Sequence, residues 1–181
     1  MESVAEEFAA GKINRAQFNA IYGHYSEKRA IIEKILERNP ENDAWRQVAR
    51  PGHTSFLRVH FEAKPAFYIV FRHGQQSPLI YGGAHPKEGA KQIVGVLRQL
   101  WKSSNRPPRG LARKNMNNGY WMVVAFGEYA ATIAIFSLQP SMTQSNLISD
   151  LHNDFESANR LSLRRNLSAE RMVFPQRALL T

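Results

Sequence analysis

Tyr120-Trp121-Met122-Val123-Val124-Ala125-Phe126-Gly127-Glu128-Tyr129-Ala130-Ala131-Thr132-Ile133-Ala134-Ile135-Phe136-Ser137-Leu138 is the stretch that decides the fold. Two apolar runs, Tyr120 to Phe126 and Tyr129 to Leu138, flank the pair Gly127-Glu128. Short runs rich in branched and aromatic side chains favour strands. A two-residue connection closes them into an antiparallel hairpin, with the glycine expected to supply the positive φ of a type II′ turn. Neither run approaches the about 18 apolar residues that a membrane-crossing helix requires, so no membrane partner is expected.

Working outward, Pro140 ends the second strand, and Ser141-x-x-Gln144 reads as a capping box that opens a helix. Leu147, Ile148, Leu151, Phe155 and Ala158 are expected to share its buried face, leaving Asp150, His152, Asp154 and Glu156 in solvent. Upstream, residues 102–119 carry Pro107-Pro108, Gly110 and Asn117-Asn118-Gly119 and read as a long loop. Pro86 suits the first turn of a helix with Ala90, Ile93, Val94, Leu97 and Trp101 on its inner side. Ala66 to Phe71 is a central strand, His73-Gly74 a turn, and Pro78 to Tyr81 a short strand ended by Gly82-Gly83. Phe56-Leu57-Arg58-Val59-His60-Phe61-Glu62 alternates with period two, which predicts a half-buried first strand. The expected fold class is α+β: a mainly antiparallel five-stranded sheet in the order β-β-β-α-β-β-α over 54–163, with both helices on one face.

The N-terminal part, residues 1–38, reads as a helical hairpin. Ser3-x-x-Glu6 resembles a helix start and Gly11 a stop, and Asn14 with Gln17 opens a second helix. Phe18, Ile21, Tyr22 and Tyr25, then Ile32, Ile35 and Leu36, follow helical spacing up to Arg38-Asn39-Pro40. The run Phe8-Ala9-Ala10-Gly11-Lys12-Ile13-Asn14-Arg15-Ala16-Gln17-Phe18 resembles the SHOCT helical module over about residues 4–38. That resemblance implies an interaction or oligomerisation element, with Phe18, Tyr22 and Tyr25 at a homo-oligomer interface. Residues 39–53 are a polar linker in which Trp45 and Val48 are the large apolar side chains. Residues 164–181 form a basic tail in which Met172-Val173-Phe174 can dock. The element order of 54–163 resembles the roadblock and profilin-like domains, and more loosely the GAF and PAS sensors. The roadblock resemblance implies a non-catalytic dimer that holds regulatory partners such as small GTPases, and it carries no residue-level site.

The chain has 181 residues, 24 Lys and Arg against 15 Asp and Glu, a formal charge of +9 and no cysteine. The missing thiols exclude disulfides, a thiolate nucleophile, Cys-ligated zinc and iron–sulfur clusters. Residues 1–50 are charge-balanced, so 51–181 carry the whole surplus. Arg106, Arg109, Arg113 and Lys114 in the long loop and Arg164 and Arg165 in the tail are the candidate anion- or partner-binding residues. Guanidinium forks suit carboxylates and phosphates, so an acidic protein and a nucleic acid are both candidate partners. Trp101, Tyr120 and Trp121 flank the loop as possible stacking groups. Gly82-Gly83 before His85-Pro86-Lys87 suggests a weak phosphate loop, without a Walker or dinucleotide fingerprint.

No G-x-S-x-G or H-E-x-x-H occurs, and Glu62, Glu88 and Glu128 are dispersed. No catalytic residue, metal ligand or cofactor is therefore predicted. The acidic start Met1 to Glu7 lacks the apolar core of a secretory signal, and a cytoplasmic location is the expectation. These features point to a non-catalytic regulatory or scaffolding protein that self-associates. Nucleic-acid or polyanion binding through 98–118 and the tail, or a small-ligand sensor, are the alternatives.

Overall fold

A computed structural model describes residues 2–38, 41, 43–49, 52, 54–84, 89–102, 108–116 and 119–180. The chain divides into two units, Met1–Glu62 and Ala63–Thr181.

The first unit is helical: α1 (Glu2–Ala9), α2 (Arg15–Arg38), α3 (Ala44–Ala49) and α4 (Ser55–His60). Gly11, at φ +69°, stops α1. The Gly11 N–H bonds Phe8 O at 2.9 Å and the Lys12 N–H bonds Glu7 O at 2.9 Å, which together make a Schellman motif. α2 opens on a reciprocal amide cap. Gln17 N–H donates to Asn14 Oδ1 and Asn14 N–H donates to Gln17 Oε1, both at 2.8 Å. Ser3 lies inside α1 rather than before it. Val4, Ile13 and Ile21 form the centre of this unit, with Phe18, Tyr25 and Leu57 packed around them.

α4 corrects the expected strand at 56–62. Leu57 alone packs into the helical core, while Phe56 and Val59 are 68% and 62% exposed. The polar groups of the segment bond to the hairpin. Gln17 Nε2 donates to Arg58 O at 2.6 Å, Asn14 Nδ2 donates to Phe61 O at 2.8 Å, and the Arg58 guanidinium pairs with the Glu7 carboxylate. Seven residues of alternation also fit about two helical turns, and tertiary bonding chose the helix. Residues 54–62 thus belong with the first unit. α3 packs on α2 inside the expected linker, with Trp45 and Val48 half-buried.

The second unit contains β1 (Pro65–Arg72), β2 (Pro78–Gly83), α5 (Gly89–Lys102), β3 (Gly110–Asn115), β4 (Trp121–Phe126), β5 (Ala130–Phe136) and α6 (Met142–Arg164). Two 3-10 turns, Ala169–Arg171 and Pro175–Leu180, follow. The five strands are antiparallel in the order β2-β1-β5-β4-β3. The fold class is α+β with a five-stranded antiparallel sheet, as the sequence implies. The element order differs, because β3 lies within the expected long loop and takes the place of the strand expected at 56–62. Leu111-Ala112-Arg113-Lys114-Asn115 is polar because β3 is an edge strand, where charged side chains are tolerated.

The helices lie on opposite faces of the sheet, not on one. Phe67, Phe71, Met122, Val124, Phe126, Ile133 and Ile135 pack with Ile93 and Leu97 of α5. The alternate residues Tyr68, Val70, Val123, Ala125, Ala134 and Phe136 pack with Ile148, Phe155 and Leu163 of α6 and with Met172 and Phe174. A strand covered on both sides has no solvent face, which is why β4 and β5 read as unbroken apolar runs. In the tail, Met172 and Phe174 dock on the α6 side while Val173 points outward.

Candidate functional site

α6 begins with the expected capping box. Gln144 N–H donates to Ser141 Oγ at 3.1 Å, and Ser141 N–H donates to Gln144 Oε1 at 3.0 Å. Gln144 Nε2 also donates to Ala63 O at 2.8 Å. The inner face is Ser145, Ile148, His152, Phe155, Glu156, Asn159 and Leu163. This corrects the expected solvated position of His152 and Glu156, which are 1% and 5% exposed, while Leu147 is 50% exposed. Asp150 and Asp154 face solvent as expected.

The buried polar groups are there because the sheet bonds them. Glu156 lies under the β4–β5 turn. Its Oε1 accepts the Tyr129 and Ala130 N–H groups at 2.8 and 2.9 Å, and its Oε2 accepts the Glu128 N–H at 3.3 Å. A Cβ on Gly127 would run into that carboxylate. Gly127 is not among the residues with positive φ, so the turn is not the expected type II′. Glycine is needed for the close approach of Glu156, not for backbone handedness.

Thr132 Oγ1 accepts from Gln176 Nε2 at 3.2 Å and shares a hydrogen bond with His152 Nδ1, 2.9 Å away. His152 Nε2 lies 3.7 Å from Glu156 Oε1. Burial, and then the positive charge of Arg109, push the imidazole pKa down to about 4, so the ring is neutral at pH 7. Asn159 fastens the tail: Nδ2 donates to Val173 O at 2.6 Å and Oδ1 accepts the Val173 N–H at 2.8 Å.

Above this cluster opens a cleft of about 210 Å³ lined by Arg109, Glu128, Tyr129, Glu156, Ser157 and Arg160. Arg109 precedes β3 and Arg160 lies on α6, so the fold joins two basic segments far apart in sequence. Among the described residues neither guanidinium is in an ion pair. Arg164 lies one helical turn beyond Arg160 and, like Arg165, is exposed.

The other candidate residues separate. Arg113 is a brace: Nη2 donates to Pro140 O at 2.6 Å, and the guanidinium lies 5.8 Å over the Trp121 ring. Lys114 is exposed on β3, and Arg106 lies outside the described residues, as do His85, Pro86 and Lys87. Trp101 and Tyr120 pack against the α5-side core and Trp121 against the α6-side core, so the fold draws all three inward. On the helical unit, Phe18 stacks between Phe8 at 4.7 Å and Tyr22 at 5.5 Å. Phe8 and Tyr22 are 41% and 47% exposed, and Tyr25 is half-buried at the small core.

No group of three or more His, Asp and Glu among the described residues is arranged to hold a metal ion. No helix among them is long and apolar enough to cross a membrane. Sequence reasoning passed over His152, Glu156, Thr132, Gln176 and Arg160. The available signal was the spacing of Ile148, Phe155 and Leu163, which places positions 152 and 159 on the same inner face. The chain matches no protein-family model, no curated protein and no solved structure.

Proposed function

We propose that this is a non-catalytic regulatory or scaffolding protein that acts through self-association and protein–protein contact, in the cytoplasm. The observation that carries the reading is the Phe8–Phe18–Tyr22 ladder, an aromatic surface stacked and half in solvent on a capped helical hairpin. Exposed aromatic groups held rigid in advance lose little entropy when covered, which makes them effective interface anchors. Phe8→Asp with Tyr22→Asp is expected to lower the mass measured by light scattering, leaving the circular dichroism of the sheet unit intact. An unchanged mass overturns the reading.

A second reading, polyanion binding, is favoured by the charge distribution. Residues 63–181 hold 15 Lys and Arg against 6 Asp and Glu, the entire surplus of nine. Arg109 and Arg160 give that surplus a focus at the cleft. An acidic protein segment or a nucleic-acid backbone is the matching partner. Oligonucleotide affinity is then expected to fall steeply with salt and to drop in Arg109→Glu and Arg160→Glu variants. Affinity indifferent to both substitutions excludes it.

A further inference from the structure

Besides the face that packs on the sheet, α6 carries a second stripe that is apolar except for Asp154. Outside the inner face run Leu147, Leu151, Asp154, Ala158 and Leu161, spaced by four, three, four and three residues. That is the alternation of a helix–helix seam. Leu147 and Leu161 are 50% and 67% exposed, Asp154 and Ala158 are exposed, and Leu151 is half-buried.

The charges beside the stripe are polarised along the helix. Asp150 and Asp154 lie before Ala158, and Arg164 and Arg165 at the C-terminal end of the helix; all four are exposed. A parallel copy of the same helix would set aspartate against aspartate and arginine against arginine. An antiparallel copy, turned about a two-fold axis at Ala158, sets Asp150 and Asp154 near Arg164 and Arg165 of the second copy. It also closes each Leu161 over the Leu151–Ala158 stretch of the other. The small side chain at the axis lets the helices approach closely. The pairing is isologous and closes on itself, as a two-fold dimer must.

We propose that the C-terminal part of the outer stripe of α6, Leu151 to Leu161, is a homodimer seam in which two copies pair antiparallel about Ala158. This deepens the self-association reading by naming a surface distinct from the aromatic ladder.

The chain has no cysteine, so a single introduced thiol reports its own neighbour. The test compares Ala158→Cys and Leu147→Cys, each oxidised in air with copper–phenanthroline and read on a non-reducing gel. The antiparallel seam predicts a disulfide-linked dimer for Ala158→Cys. It predicts none for Leu147→Cys, whose two copies would stand about 30 Å apart along the helices. Leu161→Asp is expected to lower the mass of the unoxidised oligomer, and because Leu161 is exposed the variant keeps its fold.

Cross-linking at both positions overturns the antiparallel pairing. No cross-link from Ala158→Cys, in a protein whose oligomer Tyr22→Asp dissolves, overturns the seam and leaves self-association standing. A wild-type protein that is monomeric at every concentration overturns both. So does a monomer in which the Ala158→Cys thiol resists maleimide, because the stripe is then covered within its own chain.

Discussion

Acidification should cost the sheet unit a defined amount of stability through one side chain. His152 titrates near pH 6.5 in an unfolded chain and near 4 in the folded one. As pH falls, the unfolded state therefore takes up this proton first. The contribution of the neutral ring is fully present above pH 6.5, is lost as pH falls below it, and levels off below 4. Integration of that difference gives a loss of about 2 kcal/mol between pH 7.5 and 5, and about 3 kcal/mol at the plateau. The assay is urea unfolding at pH 7.5, 6 and 5 in a Trp45→Phe background. Trp101 and Trp121, both in the second unit, are then the only indole reporters. His152→Asn keeps a hydrogen-bonding side chain toward Thr132 and removes the titration. Its absolute stability falls through lost packing, but its pH dependence over this range should be flatter than that of the parent by about 2 kcal/mol. Parallel curves for the two proteins would refute the assignment of a buried neutral imidazole. Arg109→Gln should raise the histidine pKa and shift the acid loss toward the unfolded value, since Arg109 is the second cause of the depression.

Gly127→Ala and Glu156→Ala should each destabilise the sheet unit by about 1–3 kcal/mol, the first by clash and the second by orphaning three turn amides. The double variant should cost less than their sum, as thermal unfolding can show, because truncating Glu156 clears the space for the new methyl group. Arg113→Lys should cost about 1 kcal/mol by losing the Pro140 bond and the Trp121 stack, yet leave oligonucleotide affinity unchanged. Arg109→Glu should show the reverse pattern. Asn14→Ala should weaken the helical unit by about 1 kcal/mol through loss of the α2 cap, measured as amide exchange in α2.

Much of this architecture is legible in local chemistry. Asn14 with Gln17 and Ser141 with Gln144 mark helix starts because their side chains complete amides that no other group reaches. Gly11 marks a stop because it sits at positive φ. The apolar runs around Gly127 are strands, and their lack of alternation already signals a sheet covered on both faces. The segment 56–62 misleads because its alternation spans too few residues to separate period two from period 3.6. The segment 110–115 is hidden because an edge strand needs no apolar pattern.

The site is far less legible. Asp150, His152, Asp154 and Glu156 look alike on paper, two steps apart on one helix. Only the sheet distinguishes them, by offering Thr132 to His152 and three turn amides to Glu156. Arg113 and Arg109 likewise stand four residues apart, one spent on Pro140 and Trp121, the other open to a cleft with Arg160. By itself the sequence determined the fold class, the caps at Asn14 and Ser141, the central strands and the basic surplus, since each follows from residues near one another in the chain. Tertiary structure alone decided which polar groups are buried, which arginines are free and which stripe of α6 faces outward. Each of those outcomes depends on partners 20 or more residues away, whose hydrogen bonds offset the cost of desolvation.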